Sequence, residues 1–458
     1  MTADQLPPGS RNKLLNAIQY LANPYRFYEK AFPRYGDTFL FVGPNGPVVL
    51  TRDPEHAKVI FTLDTSQIEI YPEEGVDFVM GKHSVLVMTD DRHRRERKLL
   101  SPPFHGARMR AYGATMQKAT REEMKTWRVG EVVDFQRAMQ RISLSVIAQA
   151  VFGLSDPEEV QRAQRLSAAY MDSLNPLILF FPSLRKEHFG ITPFASIHRS
   201  RRALEEVLEE QIRRCRARAP GEDILSLMVS AHYDDGSTMS DEQIRDELFT
   251  LMLAGHETTA LGLSWMFYHL YQNPETLVRL RSELTALGEH PEPEVIAQCR
   301  YLDACAHESL RIYPIVGEVF RKMRVPLQLG PYTIPAGFAV SVSAIGIHHN
   351  PAIYPDPQTF RPERFLERKF SPFEFVAFGG GTRRCIGAAF AMYEMKLVAQ
   401  EILSHCELKP ANAKPIRPAM RGPTFGPKGG VPMKIVRLNL QGEHHASSSD
   451  SPLRERPR

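Results

Sequence analysis

One of the five cysteines lies in a segment suited to a reactive or metal-binding thiol. Residues 378–387 read FGGGTRRCIG, so that Cys385 follows three consecutive glycines and two arginines. Glycine permits backbone angles that other residues avoid, and it lets a main chain approach a ligand closely. The apolar spacing after Cys385 predicts a helix over 388–403. The positive end of that helix, with Arg383 and Arg384, favours a thiolate over a thiol. The segment therefore suits a cysteine that binds the metal of a bulky planar cofactor.

Two other functions fit the same loop less well. A cysteine nucleophile needs a general base, and the sequence places none beside Cys385. A phosphate-binding loop ends in Gly-Lys-Ser/Thr, which is absent here. The remaining cysteines lie in helical patterns without such a setting and are predicted to be inert; they are Cys215, Cys299, Cys305 and Cys406.

A second group of polar residues interrupts an apolar run in residues 249–260, FTLMLAGHETTA. Buried polar groups cost several kcal/mol each unless they find partners, so the interruption needs a reason. Gly255 removes a side chain where something flat could approach, and Thr258 can hydrogen-bond a carbonyl one turn earlier. A polar patch satisfied by tertiary packing explains the same residues. A zinc site of the H-E-x-x-H type is excluded, because the fifth position is Ala260.

These polar residues lie in the middle of a long predicted helix. Ser240 and Gln243 have the spacing of a capping box, which predicts that the helix begins there. Helical residues continue to Asn273, before Pro274. About 30 residues at about 1.5 Å each give a helix of roughly 45 Å, which is long enough to cross a whole domain. We therefore expect this helix to be buried over much of its length.

Composition limits the class of protein. The chain has 458 residues, of which 43% are hydrophobic and 24% charged, as in ordinary globular proteins. The net charge of +4 is too small to indicate nucleic-acid binding. The cysteines are too few for a disulfide scaffold, and none forms a C-x-x-C pair. Residues 1–30 contain no apolar run of about 18 residues, which predicts a cytoplasmic protein without a signal peptide or membrane anchor.

The distribution of patterns predicts a mainly α fold with a smaller β-rich region. Apolar residues at helical spacing dominate residues 90–310. Strand-like composition occurs towards both ends of the chain, in residues 38–51, 319–345 and 433–440. Because strands distant in sequence must then pair, we expect one large domain over 1–440. Residues 441–458 are polar and rich in Ser, Pro and Arg, and are predicted to form a disordered tail.

With these elements in place, the chain resembles the cytochrome P-450 haem-thiolate monooxygenases. Four motifs of that family occur in the expected order. They are A-G-x-D/E-T-T at 254–259, E-x-x-R at 308–311, P-E-R-F at 362–365 and F-x-x-G-x-R-x-C-x-G at 378–387. The resemblance covers roughly residues 5–440. Within the family the chain is similar to soluble bacterial members of the fatty-acid- and alkane-oxidising type.

The resemblance implies the cytochrome P-450 fold, a single large domain around a buried haem b. Cys385 would be the proximal thiolate ligand of the iron, and thiolate donation promotes cleavage of the O–O bond. The haem propionates would be bound by cations from three segments of the chain. These cations are His93, Arg97, Arg321 and Arg383.

The resemblance also assigns structural and catalytic residues. Glu308, Arg311 and Arg364 would form a structural triad that holds the core on the haem side. Thr258 would hydrogen-bond the oxygen substrate and a water, while Glu257 would relay protons from solvent, which is general-acid work.

The implied reaction inserts one atom of O2 into a lipophilic substrate, by hydroxylation or epoxidation of a fatty acid, alkane, terpenoid, steroid or macrolide. Electrons from NAD(P)H would arrive through a ferredoxin or flavodoxin with its reductase, because too few residues follow the cysteine helix for a redox module. A basic run at 92–98 could steer that partner, although a solvated helix face explains it equally well. We expect a monomer.

Two alternative functions keep the same fold. One is a peroxide-using peroxygenase or isomerase, and the other is a non-catalytic haem protein. Relatives of the first kind tend to lose the acid–alcohol pair, whereas Glu257 and Thr258 are both present here. The substrate pocket carries no motif, and its walls are predicted by position alone. The predicted lining segments are 70–87, 171–181, 249–252, 315–319 and 424–425.

Overall fold

The computed structural model describes residues 6–71, 79–104, 106–154, 156–174, 192–219 and 221–440. The predicted tail at 441–458 lies outside these residues. So do residues 72–78 and 175–181 of the predicted substrate pocket.

Sixteen α-helices occur in the described part of the chain. They are α1 (Lys13–Ala22), α2 (Pro24–Tyr35), α3 (Pro54–Phe61), α4 (Asp90–Leu100), α5 (Ala107–Met124), α6 (Phe135–Ala150), α7 (Pro157–Ser173), α8 (Pro193–Ala217), α9 (Ile224–Ser230), α10 (Asp241–Gln272), α11 (Pro274–Thr285), α12 (Pro293–Ala297), α13 (Arg300–Ile312), α14 (Ala344–His348), α15 (Arg364–Glu367) and α16 (Ala388–His405). Among these helices, none is both long and apolar enough to cross a lipid bilayer.

Thirteen strands accompany the helices in the same described residues. They are β1 (Gly9–Ser10), β2 (Thr38–Gly43), β3 (Gly46–Thr51), β4 (Ile68–Glu69), β5 (Val132–Asp134), β6 (Glu318–Met323), β7 (Leu327–Leu329), β8 (Tyr332–Ile334), β9 (Ala339–Ser343), β10 (Cys406–Pro410), β11 (Pro418–Arg421), β12 (Thr424–Pro427) and β13 (Pro432–Leu438).

The sheets join distant parts of the sequence. The largest has the order β1-β2-β3-β9-β6-β4. In it the antiparallel hairpin β2–β3 confirms the strand prediction for 38–51. Strand β3 pairs in parallel with β9, with Val48 opposite Ala339. A second sheet has the order β10-β13-β5. The expected pairing of strands from both ends of the chain is therefore observed.

The long central helix begins where the capping box predicts. The Gln243 amide donates to Ser240 Oγ at 3.2 Å, and the Ser240 amide donates to Gln243 Oε1 at 2.9 Å. These two bonds satisfy backbone donors that a helix start otherwise leaves without partners. Helix α10 then runs through the main core, where it packs against α6, α13 and α16. Trp265 and Phe267, both fully buried, lie in its second half.

Candidate active site

The loop before α16 owes its shape to its glycines. Gly379 and Gly381 have φ angles of +66° and +65°, which favour glycine. A Cβ added to Gly381 would lie 1.7 Å from the Phe61 carbonyl oxygen, so this glycine permits close contact with the end of α3. The expectation that these glycines serve approach to a ligand is corrected here, because two of the three pack against Phe61. Gly387 is the glycine with open space beside it, since a Cβ there would meet no atom within 4 Å.

Cys385 lies between these glycines with its side chain exposed. Its backbone amide donates to the Phe378 carbonyl at 2.9 Å, which fixes the turn. Nearby protein atoms partly desolvate the thiol, which raises the pKa of Cys385 above its ordinary value, although the side chain itself is exposed. The Gly387 amide, Arg384 and Arg97 act in the opposite direction. The prediction that the thiolate is favoured therefore has the right sign for the helix end and for Arg384, but desolvation outweighs them. A positive metal ion would reverse that balance.

The middle of α10 has one open side. Ala254 is exposed, while Gly255 and Thr258 are half-buried, in a helix whose other central residues are mostly buried. Ala254 and Thr258 are four residues apart and so share one face. The predicted back-bond is present, because Thr258 Oγ1 donates to the Ala254 carbonyl at 2.6 Å. The role expected of Gly255 is corrected, since a Cβ there would lie 2.9 Å from Ile147 Cδ1. Gly255 therefore allows α6 to approach, and the exposed methyl of Ala254 borders the open space.

Glu257 points into protein rather than into that space. Gln140 Nε2 donates to its Oε2 at 2.6 Å, and Arg421 Nε lies 3.4 Å from its Oε1. The neighbouring polar residues are also satisfied. Thr259 Oγ1 donates to the Gly255 carbonyl at 2.8 Å. His256 Nδ1 lies 2.7 Å from the Met252 carbonyl, and burial lowers its pKa. The polar residues that interrupt the apolar run are thus hydrogen-bonded within the protein. Among them, Thr258 is the one whose hydroxyl also borders the open space.

Helix α10 and the cysteine helix α16 meet beyond these open positions. A Cβ added to Gly262 would lie 3.1 Å from the sulfur of Met395. Ala254 lies eight residues before Gly262, and Cys385 lies ten residues before Met395, so both open positions lie on the N-terminal side of this contact. The loop is also tied to α4, because Arg97 Nη2 donates to the Arg384 carbonyl at 2.5 Å.

Four cationic or potentially cationic side chains converge at this loop. His93 is buried, and its Nδ1 has no hydrogen-bond partner among the described residues. Burial lowers the pKa of His93 to about 4, with further lowering by Arg383, Arg97 and Arg321. That mutual influence places the predicted propionate-binding set in one region, although its members come from α4, β6 and the cysteine loop.

The arginines of this set have no carboxylate within ion-pair distance in the described part of the chain. Arg321 is buried and donates through Nη1 to the Phe320 carbonyl at 2.7 Å. Burial, followed by repulsion from Arg383, lowers its pKa to about 10. Asp90 acts on Arg383 electrostatically, but its carboxylate is bound by Arg324 at 2.9 Å. The buried Arg321, and to a smaller degree the half-buried Arg97 and Arg383, are costly without counter-ions, so this region favours an anionic ligand.

Glu308, Arg311 and Arg364 form a buried ion-pair network. Arg311 Nε and Nη2 donate to the two carboxylate oxygens of Glu308 at 2.7 and 2.8 Å. Arg364 Nε donates to Glu308 Oε1 at 3.0 Å. The remaining donors of both arginines reach backbone carbonyls of the segment before α15, including those of His348 and Pro355. The three motif residues are therefore brought together as the resemblance implied.

The predicted substrate segments divide into buried and open residues. Phe249 and Met252 are fully buried, and Phe249 packs edge-on against Tyr170, so these two belong to the core. Phe425 is buried against Gly317. Val316 is exposed by 38%. Leu86, in the predicted segment 70–87, is exposed by 43%, so the free side-chain surface of the predicted lining includes Leu86 and Val316.

Two functional neighbours carry no sequence signal. Gln140 and Arg421 both contact the Glu257 carboxylate, yet they lie 117 and 164 residues away along the chain. Neither belongs to a motif, and only folding brings them to α10. The sequence alone therefore does not reveal that Gln140 and Arg421 contact Glu257.

These residues fit a haem group. An exposed cysteine sulfur bordered by an open glycine position suits an axial ligand of iron. The open strip of Ala254 and Thr258 carries only small side chains, as a flat group passing beneath a helix requires. The unpaired arginines and the unpartnered His93 nitrogen suit two carboxylates.

Comparison with known proteins gives an independent view of the same chain. The family model described as Cytochrome P450 matches residues 7–433. The putative cytochrome P450 138 of Mycobacterium tuberculosis is 33% identical over 433 residues, covering 93% of this chain and 95% of the relative. The putative cytochrome P450 135B1 of Mycobacterium bovis is 34% identical over 445 residues, covering 94% of this chain and 91% of the relative.

Solved structures give the same result for the fold. The retinoic acid-bound cyanobacterial CYP120A1 has a TM-score of 0.84 and 26% identity, covering 94% of this chain and 99% of the other. The haem domain of cytochrome P450DA has a TM-score of 0.83 and 21% identity, and the match covers 94% of this chain and 98% of the other. The predicted fold class is thereby confirmed.

Proposed function

Since the chain belongs to the cytochrome P450 family of haem-thiolate monooxygenases, we propose that it inserts one oxygen atom into a lipophilic substrate at the site built around Cys385. The observation that carries this proposal is the exposed Cys385 residue beside the buried Arg321 and the half-buried Arg97 and Arg383, none of which has a carboxylate partner among the described residues. Haem b bound there supplies the activation of O2. The side chains of the protein bind, orient and deliver protons around it.

The cationic set would hold the two propionates. Arg97, Arg321 and Arg383 are fixed by backbone carbonyls, so their guanidinium groups are positioned before a ligand arrives. The unpartnered Nδ1 of the buried His93 can donate a hydrogen bond to a carboxylate. Bonds of this kind to charged acceptors are about twice as strong as neutral ones. Binding would also remove the repulsion that lowers the pKa values of His93 and Arg321.

Thr258 and Glu257 would divide the work of proton delivery. The Thr258 hydroxyl donates its hydrogen bond to the Ala254 carbonyl, so its oxygen remains free to accept a hydrogen bond from a water on the open side. The Glu257 carboxylate, held by Gln140 and Arg421, lies on another face of the same helix. Rotation of Glu257 away from Arg421 would connect the water held by Thr258 to the exterior.

The substrate class is supported by apolar surroundings and by a relative. Val316 and Val319 lie in or beside β6 with free or partly free surface. One similar structure was solved with retinoic acid, a long apolar molecule with a carboxylate. We therefore propose a fatty acid, alkane, terpenoid, steroid or macrolide as substrate.

Electrons would come from NAD(P)H through a ferredoxin or flavodoxin with its reductase. The basic run at 92–98 gives this partner little free charge. Arg95 is paired with Asp235 at 2.9 Å, and Lys98 with Asp234 at 2.8 Å. Arg94 is paired with Asp91. The steering role considered for this run is therefore weak, and partner choice is proposed from the family alone.

The carbon monoxide difference spectrum of the reduced protein tests the proposal. The protein reconstituted with haem should show the red-shifted Soret band of a thiolate-ligated ferrous haem carbonyl. Cys385→Ser should abolish that band, while Cys299→Ser, at a buried cysteine between α12 and α13, should leave it unchanged. A wild-type spectrum of an imidazole-ligated haem, or a band that survives Cys385→Ser, would refute the assignment of Cys385.

A further inference from the structure

The first helix, α1, turns its apolar side to solvent. In α1 four large aliphatic side chains are exposed, by 72% at Leu14, 47% at Leu15, 56% at Ile18 and 50% at Leu21. Their spacing of three, four and seven residues places Leu14, Ile18 and Leu21 on one face, with Leu15 beside it. They form a continuous strip, which we call the α1 strip. Elsewhere in the described chain, the large exposed apolar residues are valines and one leucine.

The opposite side of α1 is the polar one, and it is buried. Asn16 is almost fully buried, and its Nδ2 donates to the carbonyls of Ser10 and Val42 at 3.0 and 2.9 Å. Tyr20 packs edge-on against Phe27 and Tyr28. A surface helix normally presents its apolar face to the core. Here the protein anchors α1 by its polar face, which holds the α1 strip outward.

The charged residues in α1 and directly beside it along the chain are all basic. Arg11, Lys13 and Arg26 are exposed, and none forms an ion pair with a residue that the structure describes. Residues 6–28 contain no aspartate or glutamate. An aliphatic strip flanked by unpaired cations is the pattern of a helix that lies in the headgroup region of an anionic membrane.

The residue types favour lipid over a protein partner. Interfaces between proteins are enriched in Tyr, Trp, Phe and Met, whereas the α1 strip contains only Leu and Ile. A helix of ten residues is about 15 Å long, which is far too short for the surface that a stable dimer buries. Leucine and isoleucine partition into the acyl boundary without needing a complementary shape.

We propose that the α1 strip docks this protein on the surface of an anionic lipid bilayer. Leu14, Ile18 and Leu21 would enter the acyl boundary, and Arg11 and Lys13 would meet lipid phosphates. This inference goes beyond the oxygenation proposed above and does not depend on it. It requires no membrane-spanning helix, since the contact is peripheral.

Sedimentation with lipid vesicles tests this docking. The full-length, haem-loaded protein should sediment with vesicles made of equal parts phosphatidylglycerol and phosphatidylcholine. The triple variant Leu14→Gln, Ile18→Gln, Leu21→Gln should bind at least about tenfold more weakly, because three aliphatic side chains no longer enter the acyl region of the bilayer. A matched control, Val129→Gln, Val278→Gln, Val295→Gln, changes three exposed valines elsewhere and should bind like wild type.

The charge component has its own arm. Arg11→Gln and Lys13→Gln should each weaken binding about fivefold on the anionic vesicles. Pure phosphatidylcholine vesicles should bind the wild-type protein more weakly and without this difference.

Four results would overturn the proposal. They are no sedimentation of wild type with anionic vesicles, equal loss in the valine control, and a wild-type dimer in analytical ultracentrifugation that the triple variant abolishes. The fourth is a lower melting temperature of the triple variant with unchanged vesicle binding, which would place the strip inside the protein.

Discussion

Thr258 is the residue of α10 whose hydroxyl reaches open space in the middle of an otherwise buried helix. Its neighbour Thr259 makes the same kind of bond one turn back, to Gly255 at 2.8 Å, but is 4% exposed. The two threonines therefore share chemistry and local geometry and differ in access to the site. This difference allows the proposed proton role to be separated from a structural one.

Thr258→Ala should leave haem and substrate binding intact while product per NAD(P)H falls about tenfold or more, with hydrogen peroxide rising to match. The reason is that the water held by the Thr258 oxygen loses its acceptor. Product, NAD(P)H and peroxide are measured in the same reaction.

Thr259→Ala is the control for that measurement and should keep the wild-type yield. An unchanged yield in Thr258→Ala would contradict the assigned role. An equal loss in Thr259→Ala would attribute the effect to bending of α10 instead.

Local sequence features carry the prediction of Cys385 and Thr258 as site residues. Three glycines and a following helix distinguish one cysteine from four others, and a polar interruption stands out in an apolar helix. The sequence does not predict which neighbours these residues and Gly255 contact in the folded protein. The missing side chain of Gly255 serves the contact with Ile147, and the balance of burial over nearby charge at Cys385 depends on how much protein surrounds the sulfur.

The network of Glu308, Arg311 and Arg364 joins two elements, α13 and α15, through one carboxylate. All three side chains are 3% exposed or less. Removing one member leaves buried charge without compensation. The segment between the two helices is held by the same arginines through its carbonyl groups.

Arg364→Ala should lower the free energy of unfolding by about 3–5 kcal/mol, because Glu308 and Arg311 remain buried with an incomplete network. Arg361→Ala offers a close comparison three residues earlier. Its side chain pairs with Glu367 at the surface, where it is 45% exposed. We expect a change of about 0–1 kcal/mol there. Urea unfolding followed by circular dichroism measures both, and equal losses would refute the special position of Arg364.

Helices were predictable where their ends carry signals. The capping box at Ser240 and Gln243 marks the start of α10. Strand β5 was not predicted, because its three residues lie inside a stretch that is otherwise helical. It exists through pairing with β13, where Val133 lies opposite Met433. A strand so short has no pattern of its own, so only its distant partner defines it.

A buried acid couples the whole molecule to pH. Glu318, at the start of β6, accepts hydrogen bonds from Tyr28 at 2.5 Å and from Ser341 and Ser343 at 3.1 Å. Burial raises its pKa from 4.5 to about 8, against the opposing effect of these three hydroxyl groups. The carboxyl joins α2, β6 and β9, so its charge state acts on the largest sheet.

The sign of the effect follows from proton binding. Between about pH 4.5 and pH 8 the unfolded chain has lost the proton of Glu318 while the folded protein keeps it. Stability therefore falls as pH rises through this window, by up to about 1.4 kcal/mol per pH unit from this group, and levels off above it. Glu318→Gln removes the contribution, so its stability should gain on wild type from about pH 5 to pH 8. Urea midpoints across this range measure the gain.

Glu407→Gln is the reference for that series, because Glu407 pairs with Arg437 at the surface. It should follow the wild-type curve. A Glu318→Gln curve parallel to wild type would mean that Glu318 is already ionised in the folded protein.

The parallel pairing of β3 with β9 can form only after both strands have been synthesised. Residues 48–51 leave the ribosome early, yet their partners at 339–342 follow almost three hundred residues later. Pairing at such long range is slow to form, whereas the helices between 107 and 312 are built from local contacts. Arg321 and Cys385 are also synthesised long after His93 and Arg97, so the proposed haem site is complete only when these later residues are present. A nascent chain that ends before Arg321 therefore lacks residues proposed to bind haem, and we expect the cofactor to bind only near the end of translation.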